Sequence, residues 1–187
     1  IFISVLVLIF SLQSWIKADD IRDFEIEGMS IGDSALKYFS KKQINNGRVA
    51  EYNDDTYTTV EPANQKSKSY DYVSFSYKSK DDKYKMVAIS GVLNFENSIN
   101  DCHELQNEIF NEIKELFPNG EITNAVTHSM LGRDSGSTRQ TFVEIVGIGF
   151  AAIQCYNYDE GVDRNDAMRV QLVEKNYNDW LLNKAFK

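Results

Sequence analysis

Few side chains in this chain are of a type and spacing to do chemistry together. Ser34 stands in Ile31-Gly32-Asp33-Ser34, and a serine can attack an ester once a base takes its proton and donors hold the oxyanion. The bases suited to neutral pH are the two histidines, His103 and His128. His128 adjoins Ser129 and a turn-rich run, Gly132 to Ser137, that offers Ser135 as another serine. Adjacent residues seldom form a nucleophile and base pair, because the pair is set by geometry rather than by sequence position. Asp159, Glu160, Asp163, Asn165 and Asp166 form an oxygen-rich cluster. Calcium takes six to eight oxygens, but the EF-hand spacing and its terminal Glu are missing, so a solvated acidic turn is the expectation. Cys102 and Cys155 lack the C-x-x-C spacing of metal sites. No metal, cofactor or catalytic residue is assigned.

The segment around Ser34 resembles the first block of the GDSL or SGNH hydrolases. That resemblance implies Ser34 as nucleophile, and it spans about four residues. The later blocks of those enzymes, a Gly-x-Asn-Asp segment and an aspartate three residues before the histidine, have no counterpart: Asn100 precedes His103 and Ala125 precedes His128. An ester hydrolase using Ser34 is therefore the alternative reading. Helix capping, a role that Asp and Ser fill well, is the preferred one. Gly132 to Ser137 resembles the nucleophile segment of trypsin-like proteases only with an arginine interrupting it, and a loop explains it.

The elements that would position any such site are organised around Ile89 to Phe117. A strand there runs into an amphipathic helix whose apolar positions Cys102, Leu105, Ile109, Ile113 and Leu116, with Phe110 and Phe117, repeat at helical spacing. Glu104, Gln106, Glu108, Asn111, Glu112 and Lys114 are placed on its outer face. Pro118 ends it. Before it, Tyr70 to Tyr77 and Tyr84 to Phe95 alternate as a hairpin joined by a charged turn. Thr141 to Tyr158 is too long for one strand, and Gly147 with Gly149 marks a turn between two. A further strand points Met168, Val170 and Leu172 inward and Arg169 and Gln171 outward, ahead of a short helix with Trp180 and Leu181. Near the start, a short helix is expected after Asp33, and Ser40 with Gln43 has capping-box spacing. Arg48 to Ser69 reads as a connector with one short strand-like run, and Glu121 to Arg139 as a long surface loop. Tyr70, Tyr72, Tyr77, Tyr84, Tyr156 and Tyr158 concentrate on strands, where cross-strand packing accounts for them better than ligand stacking. With no βαβ alternation, the fold class is α+β: a mainly antiparallel sheet of about five strands with helices packed on one face.

Strand parity places Cys155 with Val143, Ala151 and Ile153 on an apolar face, and helical spacing places Cys102 on the buried side of its helix. A Cys102–Cys155 disulfide joining helix to sheet follows. Two buried free thiols are the alternative.

Residues 1 to 18 open with an apolar run, Ile1 to Phe10, and read as a signal peptide cleaved after Ala18. Ser11, Gln13 and Ser14 interrupt that run well short of the roughly 20 apolar residues of a membrane span. Residues 19 to 187 are then a single domain. The net charge of −8 becomes −9 without Lys17, a sign unsuited to nucleic acid or to an anionic membrane. An oxidising compartment suits the paired cysteines.

FEIEGMSIGDSALKYFS, ISGVLNFENSINDC, IQCYNYDE and MRVQLVEKNYNDWL together resemble a group of small exported proteins of marine bacteria. The resemblance covers nearly all of residues 19 to 187; it implies one α+β domain and export, and it carries no activity. The expectation is a non-catalytic periplasmic or secreted protein, a binding or interaction domain of the cell envelope with a protein or small-molecule partner and no stable membrane insertion. Mass spectrometry of the exported protein should find Asp19 at the amino terminus; retention of Ile1 to Ala18 in membranes would contradict the cleavage.

Overall fold

The structure, a computed structural model, describes residues 20–95, 98–130 and 135–187. Residues 1 to 18, expected to be a signal peptide, and the first half of the Gly132 to Ser137 motif lie outside the described residues. After a 3-10 turn at Ile21–Asp23 and another at Ala35–Lys37, the elements are α1 (Lys41–Asn45), β1 (Arg48–Val49), β2 (Tyr57–Glu61), β3 (Tyr72–Lys78) and β4 (Met86–Phe95). Then come α2 (Ile99–Leu116), β5 (Glu121–Met130), β6 (Gly136–Ile145), β7 (Gly149–Tyr158), β8 (Asp166–Glu174) and α3 (Lys175–Asn183). All eight strands join one sheet in the order β1-β2-β3-β4-β8-β7-β6-β5, with every neighbouring pair antiparallel.

The expected α+β class and antiparallel pairing hold, and the β3–β4 and β6–β7 hairpins form where alternation placed them. Eight strands replace about five. The expected loop from Glu121 is the edge strand β5 followed by the start of β6. Nearly all of β5 is solvent-exposed, so nothing on it had to alternate. The expected connector after Arg48 contributes the two-residue β1 and the paired strand β2.

One face of the sheet is the main core. Val73, Phe75 and Ile89 from β3 and β4, Met168, Val170 and Leu172 from β8, and Ala151, Ile153 and Cys155 from β7 meet α2 and the amino-terminal segment there. Ser98 caps α2 by accepting from the Asp101 amide, and Phe117 closes it. Gln106, expected on the outer side, is completely buried. Its amide donates to the carbonyls of Arg139 (3.0 Å) and Ile153 (2.8 Å) and its oxygen accepts from Arg139. A buried amide is tolerable when its donors and acceptor are used, and a periodicity count cannot foresee that partner set. Tyr70 packs on the same core; a Cβ added at Gly91 would lie 2.6 Å from its ring, so the β4 backbone there has room only for hydrogen.

The helices do not share one face, which corrects the expectation. Tyr177 and Trp180 of α3 pack with Tyr57, Ala88 and Val173 in a second cluster, and Ala88 and Val173 face each other in register on the side away from α2. The apolar side of α3 is short, so it covers only one end of that face.

Cys102 and Cys155 are disulfide-bonded with their Cα atoms 6.1 Å apart, inside the usual range. The bond closes a separation of 53 residues, for which chain entropy predicts a contribution of about 4 kcal/mol. Both sulfurs are buried, so opening the bond also loosens the seam between α2 and β7. A Cys155→Ala variant should melt on the order of 10 °C lower than wild type, and reductant should lower wild type alone; an unchanged melting temperature would show that the α2 packing stands without the bond.

Candidate functional site

Every second residue of a strand faces the same way. On β8 this sends Met168, Val170 and Leu172 to α2, and leaves Ala167, Arg169, Gln171 and Val173 on the opposite face. Register then sets their neighbours. Arg169 lies opposite Val92 on β4 and Gln154 on β7, Gln171 lies opposite Ser90 and Ala152, and Gln154 lies opposite Gln140 on β6. Ser74 on β3 completes the row through Ser90. Because α3 roofs only one end, these side chains floor a cavity of about 660 Å³, lined on the helix side by Tyr177, Leu181 and Leu182. That volume is typical of a small-molecule site.

The polar floor is held in place by its own hydrogen bonds. Gln154 accepts from the Tyr156 hydroxyl (2.7 Å) and the Gln171 amide (3.3 Å), and donates to Gln140 (2.8 Å). Beside it the Thr59 hydroxyl meets those of Tyr52 (2.9 Å), Ser76 (2.7 Å) and Tyr177 (3.0 Å). Burial pushes the Tyr52 phenol up, and the neighbouring Tyr177 adds to this, so the cluster is uncharged near neutral pH.

Arg169 is the exception. Its guanidinium lies over the Tyr156 ring at 5.4 Å. Its Nε is sealed from solvent without a hydrogen-bond partner, and among the described residues it has no ion pair. The pull that raises its pKa comes first from Tyr156, then from Tyr72, Tyr158 and Tyr177, against desolvation. That pull requires ionised phenols, and phenols as a class ionise only near pH 10; burial pushes those of Tyr72 and Tyr158 higher still. At neutral pH, among the described residues, the charge is met by the quadrupole of the Tyr156 ring, which is weak beside a carboxylate. The carboxylates on the cavity wall, Glu144 and Asp179, belong to its other end: Glu144 faces Phe150 in register and Asp179 pairs with Lys175 on α3.

The residues singled out from sequence fall elsewhere. The Ser34 hydroxyl donates to the Lys83 carbonyl at 2.6 Å and accepts from the Leu36 amide, capping a 3-10 turn. Ser34 bridges Lys85 in antiparallel pairing, not at the carboxyl end of a parallel strand. His103 is half-buried on α2, where burial and then the Arg139 charge push its pKa down, and His128 is exposed on β5 opposite Thr138. Neither histidine lines the cavity. Among the described residues no group of three or more His, Cys, Asp or Glu is placed to hold a metal, and Asp166 of the acidic run accepts from the Tyr158 amide. Tyr77 and Tyr84 pack on each other, whereas Tyr156 and Tyr158 stack beside Arg169. Arg169 and Gln171, read as solvent-facing, instead floor the cavity. Polar residues alternating with core residues look the same in sequence whether water or a second layer lies above them.

No protein-family model, curated protein or solved structure matches this chain, so the site is read from its own geometry. An enclosed charge without a partner costs stability, and sites kept for binding commonly carry such a cost. Arg169→Met, which keeps the bulk and removes the charge, should raise the melting temperature by a few degrees, about 1 kcal/mol or more. A fall would mean that the guanidinium is a structural strut.

Proposed function

We propose that this chain is a non-catalytic exported domain, periplasmic or secreted, that binds a small molecule of the cell envelope in the cavity between the sheet and α3. The observation that carries the reading is the partial roof. A sheet face that met only solvent would need no enclosed glutamine network, and one fully covered would be apolar; this face is polar, hydrogen-bonded within itself and only partly roofed. The hydrogen bonds that hold Gln154 and Thr59 preorganise the floor, which lowers the ordering cost of binding. The paired cysteines support an extracytoplasmic setting. Among the described residues no helix is long and apolar enough to cross a membrane, in keeping with a domain that is not held by a spanning helix.

The Ser34 hydrolase reading gains no support, since that hydroxyl is engaged in capping and makes no hydrogen bond to either histidine.

Ala152 sits on the cavity floor between Gln171 and Phe142, so Ala152→Phe fills the cavity while leaving the α2 side untouched. The dye 1-anilinonaphthalene-8-sulfonate should bind wild type one to one with enhanced fluorescence, and Ala152→Phe about tenfold or more weaker. Equal binding by both proteins, or none by wild type, would remove the cavity as the site.

A further inference from the structure

The cavity has a direction. On β8 its floor runs Arg169, Gln171, Val173; on β7 it runs Gln154, Ala152, Phe150; on β4 it runs Ser90, Ala88. Strands β7 and β8 grade from polar to apolar toward α3, and Phe142, Leu181 and Leu182 enlarge the apolar end. From Arg169 to Val173 is about 13 Å of strand. Leu182 is 69% exposed at the mouth, which leaves the apolar end accessible from outside.

At the polar end, the Nε of Arg169 is sealed without a partner, while its terminal nitrogens donate no hydrogen bond to any described residue and stay open to a ligand. The donors beside it on the cavity floor are neutral: the hydroxyls of Ser90 and Ser74 make no hydrogen bond to described residues, and Ser90 is the diagonal neighbour of Arg169, within reach of so long a side chain; the next positive charge, Arg164, lies over the Tyr158 ring at 5.9 Å and does not line the cavity. One full positive charge flanked by neutral donors is complementary to one negative charge. Carboxylates match a guanidinium fork with two parallel hydrogen bonds, whereas a dianionic phosphate would leave a buried charge uncompensated.

We infer, resting on the reading of the cavity as a ligand site, that its ligand is an amphipathic monocarboxylate, with the carboxylate on the terminal nitrogens of Arg169 and the apolar body lying toward Phe142, Phe150 and Leu181. Binding neutralises the enclosed charge and buries the exposed apolar mouth in one step. The chain's overall negative charge repels anions at long range, so recognition rests on this local contact and not on steering.

Calorimetric titration of residues 19 to 187 with decanoate, decan-1-ol and decyl phosphate, each below its aggregation limit, tests this directly. Wild type should bind decanoate about tenfold or more tighter than decan-1-ol, the worth of one charge-assisted contact, and also tighter than decyl phosphate. In Arg169→Gln the ratio of decanoate to decan-1-ol affinity should fall to about one. Equal wild-type affinities for acid and alcohol would overturn the carboxylate assignment while leaving the binding cavity intact. A preference for decyl phosphate would overturn the monoanion, and a ratio unchanged in Arg169→Gln would overturn the residue. Binding of none of the three would sink the inference and, taken with a failed dye titration, the cavity reading as well. The wild-type comparison alone decides the ligand class if the variant does not fold.

Discussion

The packing of α2 across β6, β7 and β8 is the constraint from which the remaining structure follows. Three kinds of contact hold it: the apolar row of Ile109, Phe110 and Ile113, the Cys102–Cys155 bond, and the buried Gln106 amide that satisfies two strand carbonyls and Arg139. The last two are directional. They set the position of the helix along the strands, where apolar contact alone would permit sliding. Once that face is core, the two-residue period of a strand leaves no choice about the other side: Arg169, Gln171, Gln154 and Gln140 must all project away from α2.

What happens on that second face depends on how much of it is covered. α3 is nine residues long, about 13 Å at the usual helical rise, and the sheet beneath it is eight strands wide. It can seal Tyr57, Ala88 and Val173 with Tyr177 and Trp180, but it cannot reach the row through Arg169. A cavity is the consequence of that mismatch in size. The tyrosines sort accordingly: Tyr57 and Tyr177 pack at the α3 end, while Tyr156 and Tyr158 lie beside Arg169 at the polar end.

The same division separates stability from function. Core and disulfide supply the free energy, and the second face holds an unpartnered guanidinium that draws on it. A chain selected for stability alone would place an apolar residue or a nearby carboxylate there. Neither is present among the described residues, and the glutamine network beside Arg169 is tied by its own hydrogen bonds, which is the pattern of a preorganised binding surface.

Periodicity by itself determined the α2 helix, both long hairpins, the inward set of β8 and the Cys102–Cys155 pairing, because each depends on one element burying one apolar face. It also placed the capping box at Ser40 and Gln43, which is local chemistry. Three things were decided only by the tertiary structure. β5 carries almost no buried residue, so its membership of the sheet is written in backbone hydrogen bonds and not in side-chain pattern. Gln106 reads as a surface residue until two strand carbonyls are brought beneath it. Arg169 reads as solvent-facing until β3 and β7, distant from it in sequence, bring Tyr72 and Tyr156 beside it. A polar residue on an alternating strand records which side of the sheet it occupies; whether that side meets water or a second layer is settled by elements that the strand's own sequence does not describe.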